Sequence, residues 1–167
     1  MIPRGPLLES IYLKPGELAV AERPAMVSTV LGSCVAVTLF SPRLGVGAIC
    51  HAMLPVAAAG QHGFKYVDTS LAHMLESFER LGVTKRELVA KLFGGADMFE
   101  VLRPASSPTV GRQNVQAART ILQREGLHLS AGDTGGQQGR KLLFYSHTGE
   151  VLLKRLAPTK SVRSGNV

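Results

Sequence analysis

The sequence predicts a single α/β domain, built as a three-layer sandwich of a mixed β-sheet and two main helices. Apolar residues alternate with period 2 through the first and last thirds of the chain, whereas two segments between them carry the period of amphipathic helices. Strands therefore outnumber helices, and a sheet covered by helices buries the apolar faces of both. With 45% hydrophobic residues among 167, the chain is long enough for one compact core.

Three strands are predicted in the first third of the chain. The alternating stretches are ELAVAE from Glu17, CVAVTLF from Cys34 and GVGAICHAML from Gly45. The turn residues SPRLG separate the last two stretches, so we expect these two strands to form a buried antiparallel hairpin.

Two helices are predicted downstream of this hairpin. The first is indicated by apolar residues that share one helix face: Val67, Leu71, Met74, Leu75, Phe78 and Leu81. Asp68 is its predicted cap, and Gly82 ends it. The second helix is read from the apolar positions that begin at Val115, and it stops at Gly126.

Four further strands are predicted around the second helix and after it. The stretch LVAKLF precedes that helix and runs into the glycine-containing GGADMF. After the helix come LHLSA, the glycine-rich GDTGGQQG, and the stretches RKLLFYS and EVLLKRL, which are joined through HTG. The last two stretches predict a closing hairpin.

Composition predicts the boundaries of the domain and its compartment. Residues 1–16 are assigned to an N-terminal extension, 17–156 to the domain and 157–167 to a basic flexible tail, because much of the net charge of +7 lies near the C-terminus. No secretory signal or spanning segment is recognised, so a cytoplasmic location without membrane insertion is expected. No RNA-binding aromatic motif or zinc-finger spacing accompanies the basic residues, which argues against a nucleic-acid partner.

Cys34 is the candidate nucleophile. It follows Gly32 and Ser33 at the start of a predicted strand, where a tight turn can leave backbone N–H groups free to stabilise an oxyanion. Cysteine is also among the residue types most often buried, so a small core residue is the alternative interpretation of Cys34.

His51 is the candidate base for this thiol. It lies in the second arm of the predicted hairpin, near its end, and can therefore meet Cys34 at the start of the first arm. A satisfied buried histidine is the alternative. Because successive strand residues face opposite sides, Cys50 is assigned to the core. Pairing a thiol with an imidazole is expected to lower the pKa of the thiol.

These residues stand within a longer series of motifs: GSCVAV, GAICHAMLP, KYVD, KLFGGADMF, the asparagine of VGRQNV, DTGG and the GR before the last hairpin. In that order they resemble the chemoreceptor glutamine deamidase family, CheD, from about Leu18 to Leu156. The resemblance implies a deamidase domain on an α/β three-layer fold. It also implies a cysteine hydrolase that converts glutamines on cytoplasmic helices of chemotaxis receptors to glutamate, with a CheC-type phosphatase as a further partner.

The resemblance also implies roles for individual residues. Cys34 matches the family nucleophile and His51 the family base, while a hydroxyl residue six positions before the cysteine, here Ser28, completes the site. The adjacent Thr29 is the alternative hydroxyl. Neither a metal nor another cofactor is implied.

Two other interpretations are open at this point. The first is a non-catalytic chemotaxis adaptor that binds receptors or the phosphatase and keeps Cys34 and His51 as core residues. The second is a small metal site of Cys34, Cys50, His51 and His62, which is disfavoured because Cys50 and His51 are expected on opposite faces of one strand. The glycines of FGGA and DTGG are interpreted as tight turns around the site, since neither matches a full phosphate-binding fingerprint.

Overall fold

The computed structural model of the protein describes residues 7–98 and 107–157. Within these ranges the chain forms nine strands, two α-helices and one short 3₁₀ turn at Lys85–Glu87. The strands, in chain order, are β1 Glu9–Tyr12, β2 Leu18–Ala21, β3 Ala25–Leu31, β4 Val35–Ser41, β5 Val46–Cys50, β6 Val89–Gly94, β7 Leu129–Thr134, β8 Arg140–Tyr145 and β9 Val151–Arg155. The helices are α1 Val67–Arg80 and α2 Val110–Arg124.

The strands form two mixed sheets. The first has the order β1-β3-β8-β9, and the second has the order β2-β5-β4-β6-β7. In the first sheet β1 runs parallel to β3, and in the second β7 runs parallel to β6, while the other pairs are antiparallel. The predicted α/β class, single domain and two helices are confirmed. The prediction of one sheet is wrong, because the strands divide between two.

The five-stranded sheet is the middle of three layers. One face packs against α1 and α2 through the apolar core that contains Val35, Val37 and Cys50. The other face packs against the four-stranded sheet, where Ala36 and Ile49 join residues such as Phe144. Strands β4 and β5 are consequently covered on both sides, which explains why their sequences are almost continuously apolar.

The predicted helices are present, with two differences at their starts. Helix α1 buries Val67, Leu71, Met74 and Phe78 as predicted, but Asp68 is not its cap. The Asp68 carboxylate accepts the N–H of Ala57 at 3.1 Å and thus fixes the preceding loop. Helix α2 begins at Val110, where the Thr109 side chain accepts the N–H of Arg112.

Two strands were not predicted, β1 and β3, and both belong to the four-stranded sheet. Strand β1 lies inside the segment that the sequence assigned to an extension, and Leu13 just after it is buried. Residues 9–13 are therefore part of the folded domain. The basic tail predicted at 157–167 lies, after residue 157, outside the described residues. No helix in the described ranges is long and apolar enough to cross a membrane.

Candidate active site

The Gly32–Cys34 turn joins the two sheets, since β3 ends just before it and β4 begins just after it. Its three carbonyl groups all accept hydrogen bonds, two from the segment that follows β6 and one from helix α2. The N–H of Ala96 binds the Gly32 oxygen at 3.0 Å and the N–H of Gly95 binds the Cys34 oxygen at 2.9 Å. The side chain of Asn114 binds the Ser33 oxygen at 3.1 Å. The turn is thus fixed through its acceptors.

The backbone N–H groups of the same turn differ from its carbonyl groups in their hydrogen bonding. Among residues 7–98 and 107–157, no backbone acceptor takes the N–H of Ser33 or Cys34. Gly32, Ser33 and Cys34 all line an open cavity of about 460 Å³. The oxyanion prediction requires N–H groups beside a cavity that are not tied to backbone acceptors, and the described residues meet this requirement.

The glycines at the end of β6 make this approach of the chain segments feasible. A Cβ atom at Gly94 would lie 2.2 Å from the Cys34 carbonyl oxygen, and Gly94 also has a positive φ of 103°. A side chain at this position would push the Cys34 turn away from β6. The predicted tight turn at FGGA therefore has a concrete role, which is to hold the turn that carries the thiol.

Cys34 is half-buried at the wall of the cavity, directly before β4. Burial raises the pKa of its thiol above the ordinary value, and the thiol's own backbone N–H acts in the opposite direction. The thiol is thus expected to be neutral at rest. The sequence offers two opposing effects on the pKa of Cys34, an ion pair with His51 that lowers it and burial that raises it, and in the structure burial is the larger.

His51 follows β5 and lines the same cavity as Cys34. Its position is fixed by its backbone, because its N–H donates to Glu17 at 3.0 Å and its carbonyl accepts from Gly16 at 2.8 Å. The bridge between Val35 and Ala52 extends the hairpin ladder by one pair. In this register Cys34 and His51 are diagonal neighbours on one face of the sheet, as the predicted hairpin requires.

The third residue of the site is Thr29. Its Oγ1 lies 2.7 Å from Nδ1 of His51, and its hydroxyl donates to the Leu13 carbonyl at 2.8 Å. Since the hydroxyl has one proton and gives it to Leu13, it must accept the second hydrogen bond from Nδ1–H. The neutral imidazole therefore carries its proton on Nδ1, and Nε2 has the free lone pair.

This arrangement corrects the ranking of the two hydroxyl residues. Ser28 lies in register with Tyr12 and Leu143 on the outer face of the four-stranded sheet, whereas Thr29 is fully buried between the sheets. Alternation along β3 puts them on opposite faces. The structure brings Thr29 to His51 and leaves Ser28 on the other side of the strand.

Nε2 of His51 is buried and has no hydrogen-bond partner within the described part of the chain. Burial lowers the pKa of His51, while the Leu13 carbonyl and the charge of Glu17 act in the opposite direction. At neutral pH the imidazole is therefore neutral and its basic nitrogen is unoccupied. A free basic nitrogen and a neutral thiol at one cavity are suited to transfer of the thiol proton during the reaction.

Cys50 lies apart from this chemistry. It is fully buried against the helices, and burial raises the pKa of its thiol to about 11. His51, the next residue, faces the other sheet, and His62 is exposed in a loop. Among the described residues, no group of three or more His, Cys, Asp or Glu side chains is placed to hold a metal ion.

The DTGG loop forms another part of the surroundings. The buried guanidinium of Arg140 donates to Asp133 at 2.7 Å and to the Gly135 carbonyl at 2.7 Å. The carbonyl of Gly136 in turn accepts the N–H of Asp97, which lines the cavity. The glycines of this loop therefore serve as turns that brace the cavity wall, in line with the sequence interpretation.

Two polar residues have a larger part in the site than the sequence predicts. The sequence offers Thr29 only as the alternative to Ser28, and alternation of Val27, Thr29 and Leu31 places it on the buried face once β3 is known to be a strand. The sequence predicts no role for Asn114 beyond its place in a motif. A polar residue between apolar helix positions is the signal that could have identified it.

The comparisons with known proteins identify the family of the chain. The model of the family described as CheD chemotactic sensory transduction matches residues 53–155. A Geobacter sulfurreducens protein named "Probable chemoreceptor glutamine deamidase CheD 2" is 52% identical over 161 residues, which cover 96% of this chain and 99% of the relative. That coverage includes positions 34 and 51.

Two further relatives carry the name "Probable chemoreceptor glutamine deamidase CheD". The one from Maridesulfovibrio salexigens is 44% identical and covers 89% of this chain and 93% of its own. The one from Pyrococcus horikoshii is 41% identical and covers 93% of this chain and 98% of its own. With a matching family model and relatives of this similarity along nearly its whole length, the chain belongs to the CheD family.

Proposed function

We propose that this protein is a cysteine-dependent protein-glutamine deamidase that acts on glutamines of chemotaxis receptor cytoplasmic helices. One observation carries the proposal. The hydrogen bond from His51 to Thr29 leaves Nε2 free as a base at the cavity that holds the Cys34 thiol. The names of the relatives supply the substrate class.

The first half of the reaction forms a thioester. Nε2 of His51 takes the proton of Cys34 as Sγ attacks the carboxamide carbon of a substrate glutamine, and the C=O electron pair moves to the oxygen. The N–H groups of Ser33 and Cys34 stabilise this oxyanion. The C–N bond then breaks, and the leaving nitrogen takes the proton from His51 and departs as ammonia.

The second half regenerates the enzyme. Water gives a proton to Nε2 and attacks the thioester carbon, and the resulting oxyanion occupies the same donors. The C–S bond breaks, the sulfur recovers its proton from His51, and glutamate is released. Thr29 keeps the second imidazole nitrogen protonated throughout, which is the role of the third member in triads of this kind.

The experiment is incubation of the purified protein with a cytoplasmic fragment of a chemoreceptor, followed by peptide mass spectrometry. Conversion of particular glutamines to glutamate, together with released ammonia, is the expected result. A folded Cys34→Ala variant must lose it. If the parent leaves every receptor glutamine unchanged while binding the fragment, the adaptor interpretation replaces the enzyme.

A CheC-type phosphatase is the further partner that the family suggests. Its support is family membership alone, since the described chain contains no bound partner. Size-exclusion chromatography of the two purified proteins, separately and mixed, tests it. Co-elution at a larger size is the expected result, and independent elution contradicts it.

A further inference from the structure

Asn114 of helix α2 is a buried polar residue to which the proposed chemistry gives no task. Its side-chain nitrogen donates to the Ser33 carbonyl at 3.1 Å and to the Met53 carbonyl at 3.0 Å. Both acceptors are carbonyl oxygens, so the orientation of the amide is determined. The amide therefore links the turn that carries Cys34 to the strand end that follows His51.

The link made by Asn114 lies just beyond the last pair of the hairpin ladder. The hairpin ladder ends with the bridge between Val35 and Ala52. Met53 already donates its N–H to Lys65, outside the hairpin. Asn114 is thus the contact that holds the two arms together past the last ladder pair, at the level of the thiol.

The hydrogen bond from Asn114 to the Ser33 carbonyl also affects the neighbouring N–H group, because the two belong to one peptide unit. The Ser33 carbonyl and the Cys34 N–H belong to one planar trans peptide, so they point in opposite directions. Holding the Ser33 oxygen with Asn114 therefore also fixes the direction of the Cys34 N–H, and the turn that carries this N–H lines the cavity. The same relation connects the Gly32 carbonyl, which Ala96 holds, with the N–H of Ser33.

The remaining atom of the amide argues against a purely structural role. The Asn114 oxygen is buried and has no partner among the described residues. An unpaired buried acceptor is unfavourable, and an apolar side chain of similar size would avoid it. What an apolar side chain could not supply is the pair of donated hydrogen bonds.

We propose that Asn114 is a positioning residue of the active site: it aims the Cys34 N–H at the cavity by holding the carbonyl of the same peptide, and it keeps that peptide in register with the arm that carries His51. The activity part of this role rests on the proposed function. The part that concerns the thiol does not, because the Cys34 N–H also contacts the sulfur and lowers its pKa.

The test compares Asn114→Leu, which removes the donor without adding charge, with Leu122→Ala, a buried change elsewhere in the same helix. For Asn114→Leu we expect kcat on the receptor fragment to fall about 10- to 100-fold with KM unchanged, as for a misplaced oxyanion donor. Asn114→Gln, which keeps the amide, should recover part of kcat. Leu122→Ala should lower thermal stability and leave kcat near the parent value.

A second readout needs no substrate. The rate of iodoacetamide alkylation of Cys34, followed by mass spectrometry of its peptide, should reach its midpoint at higher pH in Asn114→Leu, and at the parent pH in Leu122→Ala. Should Asn114→Leu fail to fold, Asn114→Ala is measured in the same way. An Asn114 variant with the parent alkylation profile overturns the proposal. Absence of deamidation by the parent would refute the proposed function, while the alkylation profiles still decide the role of Asn114.

Discussion

The two cysteines lie on adjacent arms of one hairpin and have opposite surroundings. Cys50 faces the helices, where it belongs to the apolar core and its thiol is closed off from solvent. Cys34 faces the other sheet at the point where the ladder ends, beside an open cavity and a histidine. The comparison teaches that the side of the sheet and the distance from its edge decide which of the two thiols lies at the cavity, since the residue type is the same.

The largest expected effect comes from exchanging each cysteine for alanine. Cys34→Ala should abolish deamidation of the receptor fragment with little change in stability, because covalent catalysis is lost and a half-exposed side chain is shortened. Cys50→Ala should keep activity and lower the free energy of unfolding by about 1 kcal/mol, the cost of a small cavity. Ammonia release and urea denaturation measure the two effects. A folded but inactive Cys50 variant beside an active Cys34 variant would reverse the assignment.

The next effect concerns the base. His51→Ala should lower kcat about 10²- to 10⁴-fold, the usual contribution of general acid–base catalysis. Burial lowers the pKa of His51, so the neutral form persists to lower pH. The acid limb of kcat/KM in the parent should therefore lie below the ordinary imidazole value of ~6.5. An acid limb well above that value would mean that His51 is charged at rest.

A smaller effect separates the two hydroxyl residues. Thr29→Val keeps the shape of the side chain and removes the acceptor for Nδ1–H, so kcat should fall on the order of 10-fold through loss of the correct tautomer. Ser28→Ala, on the other face of β3, should leave kcat near the parent value. Steady-state kinetics of both variants makes the comparison, and a larger loss in the Ser28 variant would contradict the geometry.

The smallest expected change is in thiol titration. Because burial outweighs the effect of its own N–H on Cys34, alkylation of the native protein by iodoacetamide should have its midpoint above the ordinary ~8.5. Cys50 should stay unmodified until the protein unfolds. A midpoint below the ordinary value would restore the ion pair that the sequence suggested.

The sequence predicted the hairpin that carries the chemistry because its signals are local. Apolar alternation on both sides of SPRLG is enough to pair β4 with β5 and so to bring His51 back toward Cys34. The apolar faces of the two helices were predicted from equally local patterns. Asp68 is not the cap of α1, because its carboxylate accepts a hydrogen bond from the N–H of Ala57. This contact crosses a loop, so the periodicity of a helix does not predict it.

In the second sheet only the closing hairpin, β8 with β9, could be predicted in this way, and β1 and β3 could not. Strand β3 pairs with β8, far away along the chain, and β1 is four residues long beside a proline-containing segment. Without β3 as a strand, alternation could not decide between Ser28 and Thr29. The third residue of the site was thus uncertain for the same reason that the second sheet was missed.

The hydrogen bond from Thr29 to Leu13 connects the start of the described chain to the candidate site. The bonds from His51 through Thr29 to Leu13 form a one-way relay, in which each donor is oriented by the acceptor beyond it. A chain that began at residue 17 would lack this last acceptor. The threonine hydroxyl could then rotate and donate to Nδ1, which would leave the proton on Nε2 and block the base. If the proposed chemistry holds, a segment that supplies no reacting atom would therefore select which nitrogen of His51 is basic.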